Sequence, residues 1–183
     1  MLYTRKGDKG QTGTFRCDQR ISKSSAIAEA LGSLDEINSF LGLIKIHPKA
    51  IEYTLHDAPL SSLVHSIQET LFIIQAELAG ADKHVSTEKV VALESLVDSI
   101  EKELPPITTF FISGGTELAV LCDISRTIAR RAERRVVAVF DENSEMVGSQ
   151  SLAYLNRLSS LLYAFARLSN HKSGIKEAAP EYR

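Results

Sequence analysis

The sequence has little cysteine and no long apolar run, and each scarcity excludes a class of protein. Its two cysteines, Cys17 and Cys122, are far apart and form no CxxC pair, so they do not support a zinc site and they favour a reducing compartment. No apolar run approaches the ~18 residues of a membrane span, and the N-terminus lacks the apolar core of a signal peptide. We therefore expect a cytoplasmic protein without a membrane partner.

An excess of positive charge is also missing. The 183 residues include 21 Lys and Arg against 23 Asp and Glu, a net charge of −2. Because general nucleic-acid binders are usually basic overall, we expect no nucleic-acid partner. The five histidines show no i, i+4 spacing, so we expect no metal held by side chains. The length and the 44% hydrophobic content suit one compact domain with a full core.

Apolar residues recur at helical spacing in five segments, which predicts an all-α fold. The predicted helices span residues 24–46, 60–80, 86–104, 116–141 and 148–171. Residues 48–59 are predicted to be a linker. Residues 107–115 could form a strand, but no partner strand is evident, so we expect an extended connection that lays aromatic side chains on a surface or pocket. A single domain, 1–183, would then comprise an N-terminal loop (1–23), a helical bundle (24–171) and a polar, mobile tail (172–183).

An arginine-rich stretch on the fourth predicted helix is the most concentrated charge in the chain. Five arginines and one glutamate lie within residues 126–135, and helical spacing places Arg126, Arg130 and Glu133 on one face. Arginine stays charged and binds two oxygens at once, which suits a polyphosphate or carboxylate partner. The alternative is a solvated helix face with Glu–Arg pairs. A separate apolar stripe is predicted at Leu118, Leu121, Ile124, Ile128 and Ala132.

The N-terminal residues have the composition of a phosphate-binding loop. Gly7, Gly10 and Gly13 alternate with charged and hydroxyl residues, and glycines let backbone N–H groups approach an anion. The stretch is not a Walker loop, because no GK[ST] follows the glycines. A flexible tail is the alternative interpretation.

Four separated motifs follow one another along the chain. They are YTRKGDKGQTG at 3–13, LDEINS at 34–39, RTIARRAER at 126–134 and YLNRLS at 154–159. Together they resemble the ATP:cob(I)alamin adenosyltransferases of the propanediol-utilisation O type. The resemblance implies a five-helix bundle, in a ferritin-like up-and-down arrangement, that assembles as a homotrimer with active sites between subunits.

The resemblance also implies roles for individual residues. Predicted ATP contacts in the N-terminal loop are Thr4, Arg5, Lys6, Gly7, Asp8, Lys9, Thr12, Gly13 and Lys23. Predicted ATP contacts on the last two helices are Arg130, Arg131, Glu133, Arg134 and Asn156. The residues predicted to serve catalysis are Arg126, Arg130, Glu133 and Asp35.

In the same resemblance, Asp35 and Arg126 meet across the subunit interface, and Phe110 closes the lower face of the corrin ring. An ordinary ion pair is the alternative for Asp35 and Arg126. Burial in the core is the alternative for Phe110. Lys6, residues 15–17 and Ser113 differ from the residues usual in the family.

The implied reaction transfers the 5′-deoxyadenosyl group of ATP to the cobalt of cob(I)alamin, giving adenosylcobalamin and triphosphate. Cob(I)alamin is a strong nucleophile, so no protein base is required, and the sequence offers no Ser/His/Asp or Cys/His grouping. Lys6, Lys9 and the arginines, with Mg²⁺ on the phosphates, are expected to stabilise the leaving triphosphate. A reductase and an adenosylcobalamin-dependent enzyme are the further partners implied.

Two other functions fit parts of the sequence. An ATP-dependent phosphotransferase could use the same Gly/Lys loop and would release ADP. A non-enzymatic helical module could bind acidic protein or RNA through the arginines, although the mild net charge and the absence of interleaved aromatics argue against RNA.

Overall fold

The computed structural model describes residues 3–14 and 20–182, and within them the fold is mostly helical, as predicted. The α-helices are α1 (Ala26–Ile46), α2 (Pro48–Glu52), α3 (Leu60–Leu78), α4 (Thr87–Glu103), α5 (Glu117–Glu142) and α6 (Ser149–Lys172). Strands β1 (Gln11–Gly13) and β2 (Arg20–Ser22) form one antiparallel hairpin, and β3 (Thr54–Leu55) and β4 (Ala58–Pro59) form another. A 3-10 turn, Ser144–Met146, precedes α6.

The five longer helices begin and end close to the predicted positions, for local reasons. The Ser25 hydroxyl caps α1 by accepting from the Ala28 N–H at 3.4 Å, and the Thr116 hydroxyl caps α5 by accepting from the Ala119 N–H at 3.1 Å. His47 is extended because Pro48 follows it, and α1 therefore ends there. The prediction of a plain linker at 48–59 was wrong. Pro48 opens a helical turn, a position proline favours, and the β3–β4 hairpin follows.

Helix α5 packs between α1 and α6, while α1 also contacts α3 and α6 also contacts α4. Ion pairs join α1 to α5 near both ends. The pairs are Glu29 Oε2 with Arg135 Nε (3.8 Å), Glu36 with Arg131, and His47 Nε2 with Glu117 Oε2 (3.7 Å). This order shows that α1 and α5 run antiparallel over their length. Both neighbours of α5 therefore limit which of its side chains remain exposed.

The buried face of α5 differs from the predicted stripe. The side chains buried on it are Leu118, Ala119, Cys122, Ser125, Ile128, Ala129, Ala132, Val136 and Val139. Ile124 is 40% exposed instead. Because α1 and α6 cover two sides of α5, its buried face is wide and includes several small residues. Burial raises the pKa of the Cys122 thiol, which makes it a poor nucleophile; Cys17 lies outside the described residues.

The chain after α6, which was predicted to be a mobile tail, makes specific contacts. The Ile112 N–H donates to the Ala178 carbonyl at 2.8 Å, and the Ile175 N–H donates to the Asn170 carbonyl at 2.9 Å. We call residues 173–182 the tail and residues 105–115 the aromatic loop. The aromatic loop is an extended connection without regular structure, as predicted. The tail lies along it.

A carboxylate from α3 caps the N-terminus of α6. Gly148, the N-cap residue, has no side chain to offer, and its N–H donates to Glu77 Oε1 at 3.1 Å. The Ser151 hydroxyl donates to the other Glu77 oxygen. Glu77 is nearly fully buried, yet His84 Nδ1 lies 2.7 Å from Oε1. The negative charge is favourable at a helix N-terminus, and it fixes where α6 begins.

The contact between His84 and Glu77 predicts a pH-dependent stability. The hydrogen bond to Glu77 raises the His84 pKa, while burial opposes it, and Asp82 lies 3.4 Å from Nε2. Protonated His84 therefore stabilises the fold at pH below its unfolded pKa of about 6.5, and this contribution is lost as pH rises through the higher folded pKa. We expect His84→Gln to lower the urea midpoint at about pH 5.5 and to match wild type at about pH 9. A difference that is equal at both pH values would contradict this origin.

Candidate active site

The N-terminal segment (residues 3–14 and 20–25) is folded back on itself. Arg20 Nη2 donates to the carbonyls of Lys6 at 2.6 Å and Gln11 at 2.7 Å. The Lys23 N–H donates to the Gly10 carbonyl at 2.9 Å. A Cβ added at Gly7 would lie 3.1 Å from Lys23 Nζ, so this ammonium group lies over the glycine. Arg20 was not predicted to organise the segment, although its position just after the glycines was the available signal.

Most of the predicted ATP contacts in this segment are exposed. The exposed ones are Thr4, Arg5, Lys6, Asp8, Lys9, Gly13 and Lys23, and the partly buried ones are Gly7 and Thr12. The Thr4 hydroxyl accepts from the Lys6 N–H at 3.4 Å. Within the described residues, the hydrogen bonds of the segment lie inside it or join Ser25 to the start of α1, and none reaches α5 or α6. Within one copy of the chain, no hydrogen bond among the described residues joins the segment to the arginines. The unusual residues 15–17 lie outside the described part.

Carboxylates neutralise three of the five arginines in the arginine-rich stretch. Arg126 Nε contacts Asp123 Oδ1 at 3.0 Å, Arg131 contacts Glu36, and Arg135 Nε contacts Glu29 Oε2 at 3.8 Å. Arg130 and Arg134 have no carboxylate partner among the described residues, and Arg134 Nη1 donates to the Arg130 carbonyl at 3.0 Å. Arg130 and Arg134 therefore carry the uncompensated positive charge of this helix face.

The structure brings the predicted Glu133 and Asn156 together across α5 and α6. Asn156 Nδ2 donates to Glu133 Oε1 at 2.9 Å. Arg157 Nη1 donates to Asn156 Oδ1 at 2.6 Å, and Arg157 Nε donates to Glu94 Oε1 at 2.9 Å. This chain of hydrogen bonds orients both predicted residues from three helices. It favours a positioning role for Glu133.

A cavity of about 780 Å³ lies beside Arg126 and Arg130, at the N-terminal end of the arginine-rich stretch. Its walls are formed by residues 107–111, Arg126, Arg130, Ser159, Ser160, Tyr163 and Tyr182. Phe110 is 79% exposed there, so the alternative that it belongs to the core is wrong. The volume is within the range of small-molecule sites. The cavity therefore combines an apolar aromatic wall with cationic side chains.

Tyr163 forms the wall of the cavity beside Arg126, whose guanidinium carbon lies 5.9 Å from the ring centroid. Burial raises the Tyr163 pKa, so its hydroxyl stays protonated. Sequence reasoning missed Ser159, Ser160, Tyr163 and Tyr182. Ser159 and Tyr163 could have been found, because i, i+4 spacing places them on one face of α6. No local signal pointed to Tyr182.

Asp35 and Arg126 do not meet within one chain. Asp35 is exposed, and it has no ion-pair partner among the described residues. Arg126 pairs with Asp123 on its own helix instead. Contact between Asp35 and Arg126 across a subunit interface stays a prediction.

Residues 3–14 and 20–182 contain neither a cluster of metal-binding side chains nor a candidate membrane helix. No cluster of His, Cys, Asp and Glu there could hold a metal ion. None of the helices in that part is both long enough and apolar enough to cross a membrane.

Comparison with known proteins identifies the family. Residues 2–169 match the sequence profile described as cobalamin adenosyltransferase. The chain belongs to the cobalamin adenosyltransferase family. It is 40% identical to a corrinoid adenosyltransferase of Bacillus subtilis (strain 168), over 98% of this chain and 92% of that protein. The resemblance inferred from the four motifs is thereby confirmed.

Other members of the cobalamin adenosyltransferase family extend the comparison. The corrinoid adenosyltransferase PduO of Citrobacter freundii is 38% identical over 93% of this chain, which spans half the length of that relative. A variant PduO-type ATP:corrinoid adenosyltransferase from Lactobacillus reuteri, solved with cobalamin and ATP, superimposes with a TM-score of 0.88 at 31% identity, covering 100% of this chain and 97% of that one. The fold is therefore that of a cobalamin adenosyltransferase.

Proposed function

We propose that this protein transfers the 5′-deoxyadenosyl group of ATP to the cobalt of cob(I)alamin, giving adenosylcobalamin and triphosphate. Membership of the family supports this activity, as does the likeness to a structure that holds cobalamin and ATP. The observation that carries the proposal is a single cavity lined by both the exposed Phe110 and Arg130. A large apolar ring and a polyanion need these two surfaces side by side.

The reaction depends on positioning the two substrates and on stabilising the charge of the leaving triphosphate, more than on acid–base catalysis. The cobalt electron pair attacks C5′ of ATP, the C5′–O bond breaks, and the electron pair of that bond leaves with triphosphate. Arg130 and Arg134 are free of carboxylates and can stabilise this developing charge. Glu133 accepts a hydrogen bond from Asn156 at 2.9 Å. Its role is therefore to hold Asn156 in position for ATP, and no proton transfer is assigned to it.

ATP is proposed to bind between the N-terminal segment of one subunit and the arginines of another. The segment offers exposed Lys6, Lys9 and Lys23 beside glycine backbone, which suits phosphates. Among the described residues of one chain it makes no hydrogen bond to α5 or α6, which supports a site shared between subunits. Arg131 also belongs to the proposed site, although Glu36 holds it in the free chain. Mg²⁺ would be held by the phosphates, because the described part of the chain offers no carboxylate cluster for it.

An exposed apolar patch on α1 and α5 supports assembly as a homotrimer. Leu43 follows Glu36 by seven residues and Ile124 precedes Arg131 by seven, which is two helical turns in each case. Because Glu36 pairs with Arg131 and the helices are antiparallel, Leu43 and Ile124 lie side by side. Both are exposed, as are the neighbouring Ile46 and Val120. Contiguous exposed apolar surface of this kind is typical of subunit interfaces.

The remaining assignments are proposals of the same kind. We propose that the five longer helices form a ferritin-like up-and-down bundle within a single domain, 1–183. A cytoplasmic location, a reductase that supplies cob(I)alamin and an enzyme that uses adenosylcobalamin fit the proposed reaction. Asp35 is assigned to the subunit interface, where Arg126 of a neighbouring copy is its predicted partner.

An anaerobic assay tests the reaction directly. Chemically reduced cob(I)alamin, ATP and Mg²⁺ are mixed with the protein, the cobalamin spectrum is followed, and triphosphate and ADP are separated. Loss of the cob(I)alamin band with one triphosphate for each adenosylcobalamin is expected. Release of ADP without a change in cobalamin would instead favour a phosphotransferase.

Phe110→Ala is expected to impair the reaction of cob(II)alamin far more than that of pre-reduced cob(I)alamin. An apolar wall below the corrin ring excludes water and the lower axial ligand, and loss of that ligand makes cobalt(II) easier to reduce. Activity with cob(II)alamin and a reductant should fall by about tenfold or more, since exclusion of a ligand by a side chain is worth at least ~1.4 kcal/mol. Phe72→Ala, at an exposed phenylalanine on α3, is the matched control. Equal activity of Phe110→Ala and wild type with cob(II)alamin would remove the basis for this role.

A further inference from the structure

Arg167 is a buried arginine that contacts both the aromatic loop and the tail. Its side chain is only 6% exposed. Nη2 donates to the Pro105 carbonyl at 3.2 Å, the guanidinium carbon lies 5.2 Å from the Phe111 ring centroid, and Nε donates to Glu177 Oε2 at 3.0 Å. The charge is thus neutralised by the tail while the planar group holds the loop. A buried charge with this arrangement is costly to leave unpaired.

Asn170, one helical turn further along α6, holds the other end of the aromatic loop. Its Nδ2 donates to the Gly114 carbonyl at 3.0 Å, and its Oδ1 accepts from the Thr116 N–H at 3.0 Å. Between these two anchors, the Ile112 N–H donates to the Ala178 carbonyl in the tail at 2.8 Å. The aromatic loop is therefore fixed at both ends by α6 and in the middle by the tail.

Phe110 does not fix its own position. It is exposed, and the loop around it has no regular secondary structure. Its neighbour Phe111 is partly buried and packs against Arg167. The direction in which Phe110 points therefore depends on anchors at the adjacent residues. Arg167 itself does not line the cavity, so its contacts reach the position of Phe110 through the loop and the tail.

We propose that Arg167, with Glu177 as its partner, is a positioning residue that sets the aromatic loop against the corrin ring and joins loop and tail into one unit. This inference rests on the proposed function, because it concerns the cobalamin side of that site. Arginine is required because its planar fork reaches a carbonyl, a ring face and a carboxylate at once. Lysine, with a single compact charge, can keep Glu177 neutralised but cannot make all three contacts.

The test compares three variants with a matched control. Arg167→Met removes the charge and the fork, Arg167→Lys keeps only the charge, and Glu177→Gln weakens the link to the tail. Lys172→Met is the control, because Lys172 lies on the same helix but pairs with Glu103 at 3.1 Å, outside the loop and the tail. Steady-state kinetics with cob(I)alamin and ATP are measured together with hydrogen exchange of backbone amides.

A selective effect on cobalamin is expected. Arg167→Met should raise the KM for cob(I)alamin roughly tenfold while the KM for ATP stays within about twofold, since misplacing a binding loop costs affinity for its own ligand. Arg167→Lys and Glu177→Gln should give intermediate values. The Ile112 amide should exchange faster in Arg167→Met and Glu177→Gln, whereas Lys172→Met should match wild type in both measurements.

Other outcomes separate this inference from the proposed function. If Arg167→Met and Arg167→Lys lower the thermal midpoint and weaken binding of both substrates equally, Arg167 is merely structural and the inference is overturned. Unchanged cobalamin KM in all three variants would overturn it as well. If the wild-type protein forms no adenosylcobalamin, the proposed function fails. The exchange rate of the Ile112 amide then still shows whether Arg167 joins loop and tail.

Discussion

Replacing Arg130 by alanine is expected to lower kcat for adenosylation of cob(I)alamin by about 100-fold or more. Arg130 lines the cavity, and within the described residues no carboxylate neutralises it. Its charge is therefore available to the triphosphate as the C5′–O bond breaks. Removing a fixed donor from developing negative charge costs roughly 3 kcal/mol in other enzymes. The effect should fall on kcat more than on the KM for ATP, because the charge grows only in the transition state.

Arg135→Ala is the matched control for this variant. Arg135 lies on the same helix, but it is already paired with Glu29 at 3.8 Å and is about half exposed. Exposed pairs of this kind contribute roughly 0–1 kcal/mol to stability, so Arg135→Ala should retain nearly full kcat. Single-turnover kinetics with pre-reduced cob(I)alamin isolate the transfer step. If Arg130→Ala and Arg135→Ala behaved alike, the distinction between free and paired arginines would have no catalytic meaning.

Gly115→Ala should be among the most destabilising single methyl additions in the chain. Gly115 has φ +99°, a conformation that strains any residue with a Cβ. An added Cβ would also overlap the Asn170 amide, 2.7 Å from its Cγ. Asn170 cannot move away easily, because it holds Gly114 and Thr116 by hydrogen bonds. Strain and overpacking together should lower the free energy of unfolding by roughly 2–5 kcal/mol.

Gly174→Ala separates the two causes. Gly174 also has a positive φ, +67°, but apart from its own residue and its two chain neighbours no heavy atom lies within 4 Å of a Cβ placed there. Gly174→Ala should lower the free energy of unfolding by only about 1–2 kcal/mol, the ordinary penalty of the left-handed conformation. Urea denaturation followed by circular dichroism measures both variants. If Gly115→Ala and Gly174→Ala lowered the free energy of unfolding equally, the Asn170 side chain would be able to move away from the added methyl group without an energetic cost.

The long helices could be predicted from the sequence because their signals are local. The spacing of Leu34, Ile37 and Leu41 and the proline after His47 determine α1 with little help from the rest of the chain. The buried face of α5 was predicted less well. Which side chains are covered there depends on α1 and α6 both packing against it, so Ile124 looked internal by spacing and is exposed in the structure.

The types of residue in the site could be predicted from the sequence, but the ion pairs that these residues form could not. Arginines on one helix face suggested an anion, but which of them are free depends on partners far away in sequence, such as Glu36 for Arg131. The contact of Arg167 with Glu177 was hidden for a related reason. The polar residues of the tail looked like a solvated end, and only the folded chain shows them beside the aromatic loop.

Helix α6 gives the site an uneven mechanical character. From Leu161 to Asn170, every residue except Tyr163 is buried, so this part of the helix is a stiff support that cannot tilt without disturbing the core. The aromatic loop and the tail rest on that support through a handful of polar contacts. The helix beneath the loop is thus rigid, whereas the loop and the tail above it can shift more easily. When a bulky ring enters the cavity, the displacement should be taken up by the loop and the tail, while the helix keeps its place.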